Sequence, residues 1–93
     1  MSEISIVQEH NLSAEQARAA AQQVAQRIST EYGLECIWDG DVLRFERSGV
    51  EGALTLDRGR AALQIRLGFF MSAFASAIEA KVAEKMRKVF VPA

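Results

Sequence analysis

The sequence predicts an α+β fold, in which a five-stranded, mainly antiparallel and curved sheet carries two helices on one face in a helix-grip-like, two-layer arrangement. Two long stretches show the spacing of apolar residues that is typical of amphipathic helices. Five short stretches alternate between apolar and polar residues, as half-buried strands do. The six glycines fall between these stretches. A chain of 93 residues has room for one hydrophobic core, so residues 1–93 are expected to form a single domain.

The first helix is predicted from its capping residues. Ser13 is a good N-cap, and Gln16 stands three residues later, which is the spacing of a capping box. The predicted helix runs over Ala14–Tyr32, and Gly33 supplies the left-handed residue that ends it. Small residues at one end of its apolar stripe imply a close approach to the sheet. The stripe consists of Ala17, Ala20, Ala21, Val24, Ile28 and Tyr32.

The strands are predicted from alternation. The first covers residues 3–8, ahead of the helix, and four more follow the helix at short intervals. Residues 39–41 form an Asp-Gly turn of the type that joins antiparallel strands, and residues 48–52 form a longer turn. The side chains predicted to face the core are Leu34, Cys36, Trp38, Leu43, Phe45, Leu54, Leu56, Ala61, Leu63, Ile65 and Leu67.

A second helix is predicted over residues 69–91, because apolar residues recur there at helical spacing. Phe70 and Phe74 are expected to join the core as part of this helix. The element order is then β-α-β-β-β-β-α. We expect the first strand to lie antiparallel beside the fifth, which gives the sheet order 1-5-4-3-2. The alternative is a parallel pairing of the first strand with the second.

Composition excludes several classes of protein. With 12 acidic and 11 basic residues, the chain lacks the basic excess of a nucleic-acid-binding domain. One cysteine and one histidine cannot supply the four ligands of a Cys-based structural zinc site. The sequence also lacks a dinucleotide fingerprint and a Walker loop, and neither a metal nor a cofactor is expected. The acidic N-terminus does not resemble a signal peptide, and the uncharged residues 67–78 are too few to span a bilayer. We therefore expect a cytoplasmic protein without a transmembrane segment.

No catalytic motif stands out, and no catalytic residue is predicted. His10 is a candidate polar site, but acid–base work requires a positioned partner, and the sequence shows none. We expect its ring to hydrogen-bond its own turn and to pack on a neighbour. Cys36 is expected to behave as a small buried hydrophobic residue. The protein is accordingly expected not to be an enzyme.

The most informative segment joins the last strand to the second helix. Residues 67–74 hold more large apolar side chains than one helix face can bury, so Phe69 and Met71 are predicted to project toward a partner or a hydrophobic surface. The alternative is that the whole segment is buried in the monomer. A basic cluster near the end of the chain extends this candidate surface and consists of Lys81, Lys85, Arg87 and Lys88.

Several short motifs, in this order and spacing, resemble one known family along nearly the whole chain. They are His10-Asn11-Leu12-Ser13, Gly33-Leu34, Trp38-Asp39-Gly40-Asp41, Leu43-Arg44-Phe45-Glu46-Arg47, Gly49-Val50-Glu51-Gly52 and Leu67-Gly68-Phe69. The chain resembles the polyhydroxyalkanoic acid system proteins, also called granule-region proteins. The resemblance implies a gene beside those of polyester synthesis and mobilisation in proteobacteria, and for some members a place at the storage-granule surface. It carries over no catalytic residue.

The leading hypothesis is therefore a non-enzymatic accessory protein of polyhydroxyalkanoate metabolism, which binds the granule surface or a granule protein. One alternative is a binder of small acyl-type ligands, whose pocket would be lined by Trp38, Phe45 and Arg66. Another is a homodimeric interaction module, in which the apolar excess forms the interface.

Overall fold

The computed structural model describes residues 2–69 and 71–90, and it confirms the α+β class. The predicted order of helices and strands is also confirmed, with one additional turn of 3₁₀-helix ahead of the last helix. The elements are β1 (Ser2–Glu9), α1 (Ala14–Tyr32), β2 (Glu35–Asp39), β3 (Val42–Arg47), β4 (Val50–Asp57), β5 (Arg60–Leu67), the 3₁₀ turn Ser72–Phe74 and α2 (Ala75–Val89).

Helix α1 begins and ends where its capping residues predict. The Ser13 hydroxyl accepts the backbone N–H of Gln16 at 3.1 Å, and the Gln16 side-chain oxygen accepts the backbone N–H of Ser13 at 3.1 Å. Gly33 adopts φ 65° and donates its N–H to the Ser29 carbonyl at 2.9 Å. Reciprocal capping at one end and a left-handed glycine at the other satisfy backbone groups that would otherwise lack partners.

The five strands form one sheet in the order β1-β5-β4-β3-β2, and every neighbouring pair is antiparallel. Strand β1 pairs with β5 along its whole length, from Ser2 opposite Leu67 to Glu9 opposite Arg60. The alternative parallel pairing of the first strand with the second is therefore wrong. Strands β1 and β2 form the two edges of the sheet.

The helices lie side by side on one face of the sheet. Helix α1 contacts β2, β3 and β4, whereas α2 contacts α1 and β1. Strand positions predicted to face inward are buried at the centre, as at Leu43, Phe45 and Leu54, and half-buried at the rim, as at Cys36 and Trp38. The small residues Ala17, Ala20 and Ala21 are buried in α1. The core is thus a single layer between the helices and the inner face of the sheet.

Gly52 corrects one feature of the predicted sheet. The sequence places it in a turn over residues 48–52, but β4 begins at Val50 and includes Gly52. The turn uses Gly49 instead, with φ 84°. A Cβ atom at Gly52 would lie 2.5 Å from the backbone oxygen of Gln64, on the neighbouring strand. Gly52 is required by the close approach of β4 to β5, and not by a turn.

A row of charged residues crosses the outer face of the sheet. The register sets Glu35 opposite Glu46, and Glu46 opposite Glu51. Arg66 lies beside Glu51, with Nη1 3.7 Å from Oε1, and is also opposite Glu3. Like charges directly opposite each other on adjacent strands are destabilising. Glu46 therefore sits between two carboxylates that repel it.

Replacing Glu46 with lysine is expected to stabilise the fold by about 1 kcal/mol, because two repulsive cross-strand pairs become attractive. The gain should appear as a higher midpoint of urea unfolding, and it should shrink at high salt. Glu79→Lys changes the net charge equally on an exposed position of α2 and serves as the control. An equal shift in both variants would assign the effect to net charge and not to the row.

Candidate functional site

The candidate site is the segment between β5 and α2. We call its two exposed phenylalanines, Phe69 and Phe74, together with Met71 between them, the aromatic patch. Phe69 is 82% exposed, as the prediction that it projects outward requires. Met71 was predicted to project outward with Phe69, but it is half-buried and packs against the core, where it lines a small apolar cavity with Tyr32 and Ile78. Phe70, which was predicted to join the core, lies outside the described residues.

Phe74 corrects the sequence prediction. It was assigned to the core, but it is 56% exposed. The assignment assumed a continuous helix over residues 69–91, whereas the chain forms a 3₁₀ turn at Ser72–Phe74, and α2 covers only Ala75–Val89. A 3₁₀ turn has about three residues per turn, so it shifts the helical phase of the residues before it. The predicted endpoint at residue 91 lies outside the described residues.

Backbone contacts anchor the segment that carries the patch. The Gly68 N–H donates to the Gly49 carbonyl at 2.7 Å, which fixes the segment to the β3–β4 turn. The Ser72 hydroxyl donates to the Gly68 carbonyl at 3.0 Å, and the Met71 N–H donates to the same carbonyl at 3.1 Å. A Cβ atom at Gly68 would lie 3.2 Å from the Gly49 oxygen, so a larger residue would push the two backbones apart.

The predicted basic residues lie on α2, directly after the patch. Lys81 is exposed, and Lys85 is half-buried in a surface cleft that Arg27 and Glu31 of α1 also line. Lys88 Nζ lies 3.1 Å from Glu84 Oε1. The hydrogen bond from Lys88 holds the pKa of the Glu84 carboxyl below its usual value. Because this pair is exposed, it contributes little to stability.

His10 lies at the junction between β1 and α1 and is only 4% exposed. Its Nδ1 accepts the backbone N–H of Leu12 at 3.1 Å, and its ring stacks against Phe90 with centroids 5.3 Å apart. Its backbone N–H donates to the Gly59 carbonyl at 2.9 Å. Nε2 is buried and has no hydrogen-bond partner among the described residues. The ring therefore joins the β1–α1 turn to the residue that follows α2.

The three residues proposed to line an acyl pocket do not line one cavity together: Phe45 and Arg66 border a shallow depression on the sheet that does not include Trp38. Phe45 is buried in the core on the inner face of β3, whereas Arg66 is exposed on the outer face of β5 and pairs with Glu51. Trp38 is half-buried on the edge strand β2. The apolar cavity between helices and sheet has a volume of about 10 Å³, roughly the space of one water molecule. An acyl chain would need this interior to open.

Trp38 is held by residues that sequence reasoning did not single out. Its Nε1–H donates to the Gln22 side-chain oxygen at 2.8 Å. The Arg18 guanidinium carbon lies 4.0 Å from the centroid of the indole ring, and Arg18 Nη1 donates to the Gly40 carbonyl at 3.1 Å. These contacts fix α1 to the β2–β3 hairpin through a cation–π interaction and two hydrogen bonds. The indole face is thereby covered by the protein itself.

Cys36, the candidate nucleophile of the sequence, is engaged in the fold, as His10 is. Burial raises the pKa of the Cys36 thiol, whose Sγ contacts the Ala25 carbonyl oxygen at 3.7 Å.

Within residues 2–69 and 71–90, no group of three or more His, Cys, Asp or Glu side chains is placed to hold a metal ion. In the same part of the chain, neither α1 nor α2 combines the length and apolar character of a membrane-spanning helix.

Comparison with known proteins gives one match. The model of a family described as "Putative polyhydroxyalkanoic acid system protein" matches residues 4–90, which include every helix and nearly every strand position described above. No curated protein and no solved structure matches the chain significantly.

Proposed function

The chain belongs to the family of polyhydroxyalkanoic acid system proteins, and from this premise we propose that it is a non-enzymatic accessory protein that binds the surface of the storage granule. Its role lies in polyhydroxyalkanoate metabolism. In this proposal it is cytoplasmic, and it attaches through the aromatic patch. The exposure of Phe69 and Phe74 within one short anchored segment is the observation that carries the proposal.

The exposed side chains of the patch contribute little hydrophobic stabilisation to the fold, and their burial against a partner would supply it instead. Transfer of a phenylalanine side chain from water to an apolar environment is worth about 1.5–3 kcal/mol. Among the residues that the structure describes, the large hydrophobic side chains left exposed are Val7, Ile37, Phe69 and Phe74. Two of these lie five positions apart in one segment, with Met71 between them. Clustered exposed apolar groups of this kind mark an interaction surface.

The anchoring of the segment supports direct binding. Gly68 is fixed to Gly49, and Ser72 closes the turn onto Gly68. Because the segment already has a defined shape, little conformational entropy would be lost when it contacts another surface. The two exposed phenylalanines of this anchored segment can contact a hydrophobic polyester without a change of fold.

The non-enzymatic part of the proposal rests on the two most reactive side chains. A thiol whose pKa is raised by burial stays protonated at neutral pH, which makes Cys36 a poor nucleophile. His10 already uses Nδ1 to accept the Leu12 N–H, and its other nitrogen is buried. Among residues 2–69 and 71–90, neither group has an acid–base partner of the kind that a general-base mechanism requires.

Localisation in cells that accumulate the polymer tests the proposal. A fluorescent fusion of the wild-type chain is expected to decorate the granules, and Phe69→Ser with Phe74→Ser is expected to become diffuse. Val7→Ser with Ile37→Ser removes two other apolar side chains that are more than half exposed, both on the sheet, and is expected to remain at the granules. The proposal fails if the wild-type fusion is diffuse, or if both double variants localise as the wild type does.

Direct contact is tested with protein-free polymer particles and with granules isolated from cells. The wild-type chain is expected to bind at least the isolated granules in a way that depends on Phe69 and Phe74. Binding that disappears after protease treatment of the granules would replace the granule surface with a granule protein as the partner. A dimer in light scattering that becomes a monomer in Phe69→Ser with Phe74→Ser would instead assign the patch to a homodimer interface.

A further inference from the structure

We propose that the surface recognised at the granule is an anionic lipid layer, into which the aromatic patch inserts while the lysines of α2 lie over the head groups. This inference rests on the proposed function and specifies its partner. It follows from the basic residues of α2, the helix directly after the patch, together with the exposure of Phe69 and Phe74.

Three lysines share one side of α2, the helix that follows the patch. Lys85 and Lys88 lie four and seven residues after Lys81. At 3.6 residues per turn these positions fall within about 40° of the Lys81 position. Phe74 is the last residue of the 3₁₀ turn and directly precedes α2. The side chains that fix α2 to the core form a neighbouring stripe and are Ile78, Val82 and Met86.

The charge of α2 differs from that of the whole chain. The helix sequence contains four basic and two acidic residues, whereas the full chain has a net charge of −1. The acidic excess lies elsewhere, for example in the carboxylate row of the outer sheet face, where Glu35, Glu46 and Glu51 are adjacent. The protein therefore presents a basic helix on one side and an acidic face on the other. This separation orients the molecule on an anionic layer with the sheet directed away.

Aromatic residues beside lysines suit a lipid layer better than bare polyester. Exposed phenylalanines insert among acyl chains, and long lysine side chains reach from an apolar boundary to the head groups. Each lysine near an anionic lipid surface adds attraction that decays within a Debye length. A neutral polyester carries no negative charge that could attract Lys81 and Lys85. Lys88 is partly neutralised by Glu84. Lys81 and Lys85 share a cleft with Glu31, which is itself paired with Arg27, so these two lysines are the cations that the inference tests.

Flotation with lipid vesicles tests the inference on the full chain. Binding is expected to vesicles of phosphatidylcholine with about one third phosphatidylglycerol and to be much weaker to phosphatidylcholine alone. Lys81→Gln with Lys85→Gln should weaken binding to the anionic vesicles about thirtyfold. Arg44→Gln with Arg66→Gln removes two cations from the outer sheet face and should leave binding unchanged. Raising salt from about 0.1 M to about 1 M should abolish the advantage of the anionic vesicles.

The aromatic contribution is tested separately. Phe69→Ser with Phe74→Ser should lose binding to both kinds of vesicle, and circular dichroism should show an unchanged fold because both side chains are exposed. Equal binding of the wild type to neutral and anionic vesicles would overturn the inference. So would binding to protein-free polyester particles that exceeds vesicle binding and does not depend on Lys81 and Lys85.

The failure of this inference can be distinguished from failure of the proposed function. A chain that decorates granules in cells but floats with neither kind of vesicle would refute the lipid partner and leave granule binding in place. A chain that floats with anionic vesicles but stays diffuse in polymer-filled cells would refute granule binding and leave lipid binding in place.

Discussion

Replacing Gly52 with valine is expected to destabilise the protein by about 3 kcal/mol or more. The new Cβ would lie 2.5 Å from the Gln64 oxygen, 3.1 Å from the Ile65 Cα and 3.2 Å from the Ile65 Cγ1. Two of these three atoms belong to backbone, so the clash cannot be relieved by rotating a side chain. Strands β4 and β5 would have to separate at the centre of the sheet, which would weaken their hydrogen bonds.

Urea unfolding followed by circular dichroism measures this loss of stability. Ala53→Val is the matched control, because Ala53 is the next residue on β4 and is only half-buried on the outer face. Valine suits a strand there, and its effect should be within about 0.5 kcal/mol. If Gly52→Val does not fold, Gly52→Ala supplies the measurement. Equal midpoints for Gly52→Ala and wild type would contradict the close approach of the two strands.

Replacing Phe90 with alanine is expected to cost about 3–5 kcal/mol, the usual range for a large aromatic residue removed from a core. Phe90 is fully buried at 0% exposure, directly after α2, and its ring lies against that of His10. Its removal leaves a cavity beside a histidine that fixes the β1–α1 turn. The variant should therefore lose local stability at the start of α1 as well as at the end of α2.

The same unfolding measurement, combined with amide hydrogen exchange, tests this expectation. Phe74→Ala is a control of identical chemistry, because Phe74 is more than half exposed and its loss should change stability by less than about 1 kcal/mol. The Leu12 N–H donates a hydrogen bond to His10 Nδ1, and its hydrogen exchange should be faster in Phe90→Ala than in the wild type. Similar destabilisation by the two alanine variants would contradict the assigned burial of both phenylalanines.

Local signals predicted most of the fold. The bounds of α1 depend on Ser13, Gln16 and Gly33, all of which act on neighbouring backbone groups, so the sequence fixes them without reference to the rest of the chain. The inward faces of the strands follow from alternation, which is a property of strand geometry. The antiparallel position of β1 beside β5 was predicted with a parallel alternative, because pairing between distant segments has no local signature.

The site was predicted only in part. The apolar excess of residues 67–74 indicated an exposed patch, and Phe69 is exposed, whereas Met71, which was predicted to project with it, packs against the core. Phe74 was assigned to the core because helical spacing relates it to Ile78, and the 3₁₀ turn that breaks this relation has no capping signal. The cation–π contact between Arg18 and Trp38 joins α1 to β2 and depends on tertiary packing alone.

The pairing of β1 with β5 has a consequence for how the chain is made. Ser2 finds its partner only at Leu67, and Glu9 only at Arg60, so the first strand leaves the ribosome long before the strand that completes it. At about 5–20 residues per second, it waits on the order of several seconds without a hydrogen-bonding partner. Native contacts that join distant segments also slow folding. During synthesis, Ile4 and Ile6 are therefore open to capture by chaperones, and the sheet closes only after β5 has been made.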